Sequence, residues 1–284
     1  MSHLTVHTHT AGESGLFVNS YLIELEAGLV AIDTSLLNSD IAVLEARITA
    51  LRKPLLAVFL THAHPDHFNG VHALVATRDV PVYASVGVSA AIHEVADAKR
   101  EQWQPMYGDE WPAHTTYPTA ELTDGSQIQL EDLSITVHDV GAAESHADSY
   151  LIARRPAAEP VAFIGDLAFA GTHPYTADGH TGRWLTVLDR LAVDLEATPT
   201  LLPGHGGAST AAVLADQRRY LLFYREVVRR LVSGRSELGE AEQAELGRQM
   251  RAFLPDAPLS WMVELGAGAV GTEIAAELGR EQAA

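Results

Sequence analysis

The chain has 284 residues, 47% of them hydrophobic, which is enough to bury a sizeable core in one large domain or in a domain with a helical extension. Acids outnumber bases 37 to 19, a formal charge of −18 that repels polyanions over most of the surface and argues against nucleic acid as a partner. There is no cysteine, so disulfides and thiolate ligands are excluded and any metal must be held through nitrogen and oxygen.

The N-terminal residues Met1 to His9 lack a basic segment followed by an apolar core, and no apolar run approaches the ~20 residues of a membrane span. A soluble, cytoplasmic protein with no membrane partner is the expectation. His3, His7 and His9 alternate as strand residues do. Short apolar runs bounded by turn residues then predict strands over Leu16 to Leu25, Leu29 to Asp33, Leu55 to Leu60, Pro81 to Ala84, Ile128 to Leu130, Ile135 to Val140, Ser149 to Ala153, Val161 to Ile164 and Thr200 to Leu202. Helical patterns fall between them at Ser39 to Leu51, His67 to Ala76, Val86 to Gln102 and Gly182 to Val193. Two batches of strands with interspersed helices predict a layered α/β domain. From about residue 210 the pattern becomes helical, over Thr210 to Val232, Glu237 to Phe253 and Ser260 to Leu278. With no repeat and no long linker, the expectation is a single domain over 1–284 whose part from about 210 to 284 is a helical extension. The apolar faces of those helices, such as Leu221, Leu222, Val228 and Leu231, would serve internal packing or a homodimer.

The most informative stretch is Thr61-His62-Ala63-His64-Pro65-Asp66-His67, three imidazoles and a carboxylate directly after a predicted strand. Neutral imidazole and carboxylate are preferred ligands of zinc and similar dications. In an extended segment, His62 and His64 lie on one side and can share a cation. Pro65 favours an extended His64 and opens a helix, leaving Asp66 and His67 in its first turn, where they could serve a second cation. The competing reading is a capped helix start with Asp66 as cap and solvated histidines. Three polar stretches follow predicted strands further on: Gly141 to Asp148, which contains His146; Gly165-Asp166-Leu167-Ala168-Phe169; and Pro203-Gly204-His205-Gly206-Gly207.

HxHxDH, then a His in a Gly-containing loop, then GD, then GH, in that order over roughly the first 210 residues, resembles the metallo-β-lactamase superfamily. The early segments Asn19-Ser20-Tyr21-Leu22-Ile23 and Ala31-Ile32-Asp33-Thr34 fit the same resemblance. It implies an αββα four-layer sandwich with a binuclear site at one edge. His62, His64 and His146 would hold one metal, Asp66, His67 and His205 the other, and Asp166 would bridge them. Two divalent ions, zinc by preference with iron or manganese as alternatives, would hold a bridging hydroxide that attacks a carbonyl, with Asp66 relaying a proton. Within the superfamily, Asp166 disfavours true β-lactamases, and the complete second set disfavours the mononuclear persulfide dioxygenases. The expected activity is hydrolysis of a small ester, thioester or lactone, in the branch of glyoxalase II and the lactonases. Phe169, where lactonases commonly carry tyrosine, weakens the lactone reading, and only Arg183 follows the Asp166 loop as a base for an anionic substrate. The alternatives are an iron-dependent oxidoreductase of the persulfide dioxygenase type, a phosphodiesterase, and a metal-binding module without turnover.

Substrate contacts are expected from Trp111, Phe169, His173, Tyr175 and His180. The segment Lys99 to His114, rich in aromatics, would be a lid or substrate wall, an anchor onto the fold, or an interface. His72, His93 and His138 sit in helix or strand patterns and, with His3, His7 and His9, read as structural or solvated.

Overall fold

The computed structural model describes residues 4–232, 235 and 237–283; His3 lies outside them. The first sheet contains β1 (Thr5–Thr10), β2 (Asn19–Glu24), β3 (Leu29–Ile32), β4 (Leu55–Phe59), β5 (Val82–Ser85) and β6 (Ala120–Leu122), in that spatial order. The second runs β11 (Thr200–Pro203), β10 (Val161–Gly165), β9 (Asp148–Arg154), β8 (Leu133–Gly141) and β7 (Gln127–Leu130). β1 and β6 were not among the predicted strands. β1 is threonine and histidine apart from Val6, with little burial, and β6 is only three residues long, so neither gives a strong apolar run.

Strand alternation sorts side chains between the faces of each sheet. On β2, Tyr21 and Ile23 point into the space between the sheets, where they meet Val137, Leu151 and Phe163 of the second sheet. Leu22, between them in sequence, points outward to Leu44, Ile48 and Ile92. Those outer residues come from α1 (Asn38–Leu51) and α4 (Val86–Tyr107), which cover that face of the first sheet together with the short helices α2 (Pro65–Phe68) and α3 (Val71–Val75). On β9 the same rule sends Leu151 and Ala153 inward and Tyr150 and Ile152 outward. The outward pair is covered by α5 (Thr181–Asp194), whose Trp184, Val187, Leu188 and Leu191 recur at helical spacing as one buried stripe. The result is the expected helix–sheet–sheet–helix layering.

The C-terminal helices are α6 (Ala212–Val232), α7 (Glu240–Phe253), α8 (Met262–Leu265) and α9 (Ala267–Ala283). α6 joins two cores: Val213, Leu214 and Leu221 enter the α5 layer, while Tyr224, Val227 and Val228 pack with Leu246, Met250, Val263 and Ile274. Among the described residues no helix is long and apolar enough to cross a membrane.

Arg225 ties these layers together. Its guanidinium, with 8% of the side chain exposed, meets Glu273 at 3.2 Å and Glu277 on α9, and donates to Thr181 Oγ1 at 2.6 Å at the start of α5. Glu273 in turn accepts from the Thr181 and Gly182 backbone N–H groups at 3.0 and 2.7 Å. Removing the cation would strand two carboxylates, so Arg225→Ala should lower unfolding free energy by about 3 kcal/mol. Urea denaturation followed by circular dichroism measures this, and a loss below about 1 kcal/mol would assign the contact no more weight than a surface ion pair.

Candidate metal centre

The site forms where strands of both sheets end. After β4 the chain stays extended through His64 (φ −92°, ψ 142°), because Pro65 follows, and then turns into α2 with Pro65 in its first turn. An isolated bridge between His62 and Asp148, and a hydrogen bond from Ser149 N to Thr61 O at 2.9 Å, join this end of the first sheet to β9 of the second. Asp166 and His205 enter from the ends of β10 and β11. Between them stands Gly204, where a Cβ would lie 1.9 Å from Asp166 Oδ1 and 2.7 Å from His67 Cε1, so only glycine leaves room for the carboxylate.

The buried carboxylate of Asp33, just after β3, orients the group. Asp33 Oδ1 accepts from Thr61 N at 2.9 Å, and Oδ2 accepts from Thr61 Oγ1 and from His67 Nδ1, each at 2.8 Å. With its proton given to Asp33, the Thr61 hydroxyl oxygen accepts from His62 Nδ1 at 3.0 Å. His205 Nδ1 donates to Leu16 O at 2.9 Å. Each Nδ1 proton is thereby assigned, and Nε2 of each ring is the nitrogen turned into the cluster, a donor for a cation once the ring is neutral. His62 Nε2 and His67 Nε2 are buried with no hydrogen-bond partner among the described residues, as is Asp166 Oδ1.

Donor atoms gather into three groups, each within 4.8 Å: Asp66, His67 and His205; His62, His67 and Asp166; and His62, His64 and Glu144. Asp166 lies centrally, Oδ1 3.4 Å from His67 Nε2, and Oδ2 3.3 Å from His205 Nε2 and 4.0 Å from His62 Nε2. Asp66 Oδ2 is 3.2 Å from His205 Nε2 and 3.6 Å from His67 Nε2. Such buried imidazole and carboxylate clusters fit a divalent cation in their donor chemistry.

The electrostatics show a strong demand for positive charge. Burial, with the neighbouring His67, pushes His62 well below the usual imidazole range. For His205 burial acts the same way, but the Asp166 and Asp66 carboxylates outweigh it and raise the ring to about 10. His64 is likewise raised to about 10, against burial, by Glu144 and Asp178. Burial pushes the Glu144 carboxyl up to about 8 although His64 opposes it. Asp166 is held well below the carboxylate range, despite burial, by His205 and His67.

The structure brings His62, His64, Asp66, His67, Asp166 and His205 together. It does not bring His146 to them: that side chain is 52% exposed, with Nδ1 2.8 Å from His180 Nε2. Glu144, two residues earlier and unremarked in the sequence, stands inside instead, Oε2 3.0 Å from His64 Nδ1. The turn explains the exchange. The Asp148 carboxylate accepts from the backbone N–H groups of Ala143 and Ser145, both at 2.9 Å, drawing the loop in around Glu144 and leaving His146 on its outer limb.

A cleft opens above Asp66, Asp166 and His205. Trp111, Phe169 and Tyr175 line it, and Phe169 stacks on the His205 ring with centroids 5.2 Å apart. His173 is elsewhere, buried under α6 with Nδ1 2.8 Å from Tyr220 Oη, and His180 sits with His146 before α5. The aromatic segment is largely helix rather than loop, since α4 continues to Tyr107. Its Trp111 is 3% exposed and packs on Leu36 and Leu37, so it both walls the cleft and anchors the fold. Arg183 does not reach the cleft; it donates to Ala142 O at 2.8 Å, and Lys99 supplies the lining base instead. Of the remaining histidines, His7 meets Glu24 at 2.8 Å, His72 meets Thr116 at 3.1 Å, and His93 and His138 stack on Tyr117 and Tyr150.

Residues 14–205 match the family model of the metallo-beta-lactamase superfamily, and the chain belongs to that superfamily. Among solved structures, it is similar to a beta-lactamase domain protein from Burkholderia ambifaria, with 16% identity, 98% of this chain and 88% of that one covered, and a TM-score of 0.72. It is also similar to a metallo-beta-lactamase from Pontibacter korlensis (19% identity, 78% and 96% covered, TM-score 0.60) and to one from Hirschia baltica (20%, 75% and 91%, 0.57). At these identities the likeness is one of fold. No curated protein matches the chain.

Asp33 provides a test of the orientation described above. Asp33→Asn keeps the shape but offers one acceptor oxygen where the carboxylate serves Thr61 and His67 with two, and should weaken zinc or manganese binding about 10–100-fold. Isothermal titration of metal into chelator-stripped protein reads this directly; unchanged affinity would show that Asp33 serves folding alone.

Proposed function

We propose that the protein is a two-metal hydrolase of the glyoxalase II and lactonase-like branch, cleaving a small ester, thioester or lactone. The observation that carries this is the placement of Asp166 between two groups of buried donors, with Nε2 of His62, His67 and His205 and Nδ1 of His64 turned inward, beneath an open, aromatic-walled cleft. In this reading Asp66, His67 and His205 hold one cation, His62 and His64 contribute to the other, and Asp166 spans both. When bound, two such cations, zinc by preference, supply Lewis acidity that polarises a substrate carbonyl and acidifies water.

The chain's own groups divide the remaining work. Asp66 lines the cleft as well as the cluster, and is the group we assign to passing a proton to the leaving group. Trp103, Trp111 and Phe169 present apolar surface to the substrate and exclude water beside the reacting carbonyl. Lys99 lines the cleft with Nζ 3.3 Å from Tyr175 Oη and 3.8 Å from the Asp178 carboxylate, so an anionic substrate group would have to share it with Asp178. Phe169 offers no hydroxyl at the position from which lactonases commonly supply one, which favours linear esters and thioesters over lactones.

One observation favours the iron-dependent oxidoreductase as a second reading: His62, His64 and Glu144 form a set of two imidazoles and a carboxylate, as non-haem iron sites do. The complete Asp66, His67 and His205 group beside it weighs towards two cations and hydrolysis.

Elemental analysis of protein purified without added metal separates the two. Two zinc or other redox-inert ions per chain, with turnover on a panel of esters, thioesters and lactones, are expected. A single iron per chain would favour oxidation. Asp166→Ala should lose bound metal and lower hydrolysis by at least about 100-fold; full turnover in that variant would end the two-metal mechanism.

A further inference from the structure

Glu144 is buried without any structural purpose visible in the fold. Its side chain is 0% exposed, and neither oxygen has a hydrogen-bond partner among the described residues. A carboxylate taken out of water is strongly unfavourable unless charge or hydrogen bonds balance it, and an imidazole 3.0 Å away, that of His64, is the partner the fold offers here. The nearest polar atoms are ring nitrogens: Oε2 lies at ion-pair distance, 3.0 Å, from His64 Nδ1, and 3.7 Å from His62 Nε2, which is itself without a hydrogen-bond partner among the described residues. Three donor atoms, from His62, His64 and Glu144, converge within 4.8 Å of one another, as ligands of one cation would. The loop is built for this position, because Asp148 fixes the backbone on both sides of Glu144. His146 has the opposite surroundings, half in solvent and paired with His180, with the Asp178 carboxylate 3.9 Å from its Nε2.

We propose that Glu144 is the third protein ligand of the cation held by His62 and His64, and that His146 is not a ligand. This rests on the two-metal reading and changes what it implies. Each cation then has two imidazoles and one carboxylate of its own, His62, His64 and Glu144 for one and His67, His205 and Asp66 for the other, with Asp166 shared. Two dications bring four positive charges, and Asp66, Asp166 and Glu144 offset three of them, where a histidine in place of Glu144 would leave only two offset. The additional carboxylate is a harder donor than imidazole and raises the standing of manganese or iron(II) relative to zinc at that position. The near-equivalent donor sets lead to similar affinities for the two ions.

The test uses the full chain, stripped with chelator and titrated with zinc, manganese and cobalt(II), with calorimetric stoichiometry, elemental analysis and the visible absorption of cobalt as readouts. Wild-type protein and His146→Ala should each bind two equivalents with the same affinities. Glu144→Ala should bind one, or bind the second at least about 100-fold more weakly. Glu144→Gln, of nearly the same volume, should behave like Glu144→Ala while keeping the wild-type melting profile, which separates ligand loss from misfolding. Two equivalents at wild-type affinity in both Glu144 variants, with two in the wild type, would overturn this assignment and leave the two-metal reading standing. Loss of an equivalent in His146→Ala would also overturn it. Fewer than two equivalents in the wild type would remove the two-metal reading and this proposal with it.

Discussion

The contact on which the site depends is the one between the Asp33 carboxylate and its three donors. Two oxygens at the end of β3 bind the backbone and hydroxyl of Thr61 at the end of β4 and the ring of His67 in the first turn of α2. Parallel pairing of β3 and β4 brings these strand ends side by side, so sheet register determines where the carboxylate meets its partners. Through Thr61 the same carboxylate reaches His62, and two of the cluster's rings take their orientation from one side chain. A position with positive φ (58°), tolerated by aspartate better than by branched residues, turns Asp33 towards them.

The two sheets contribute unequally to this arrangement. The first supplies a contiguous stretch, His62 to His67, while the second supplies single residues from separate turns, Glu144, Asp166 and His205. Contact between the halves is made by backbone as well as side chains, through the His62–Asp148 bridge and the Ser149–Thr61 hydrogen bond. Core packing of Tyr21, Phe59 and Phe163 between the sheets fixes their spacing, so the distance between donors from opposite sheets is set by aliphatic and aromatic volume far from the polar atoms.

Much of this was legible in the sequence where the local chemistry was unusual. The HxHxDH stretch stood out because so many imidazoles in one short span have few other uses, and Pro65 announced the helix that separates Asp66 from His64. The layered fold followed from apolar runs of strand length, and failed at β1 and β6, which bury too little to leave such runs. The loop between β8 and β9 was misread for a different reason. His146 is the more conspicuous ligand type, whereas the side chain that turns inward is selected by Asp148, four residues after Glu144, holding the backbone of Ala143 and Ser145 on either side of it, a three-dimensional event. The signal available was the small-residue run Gly141-Ala142-Ala143 ahead of Glu144, together with an aspartate placed to close the turn. His173 was similarly misplaced, because its partner Tyr220 lies in the helical part, beyond the reach of local pattern.

Trp261 and Met262 line the same cleft as Asp66 and Asp166, yet they belong to the segment between α7 and α9, beyond residue 205 where the family match ends. The floor of the cleft and its far wall are thus encoded in separate lengths of chain, joined mainly by packing of α6 and by the Arg225 cluster. That wall is therefore written in a length of chain that supplies no donor to the cluster, so its shape can change in sequence separately from the imidazoles and carboxylates below it.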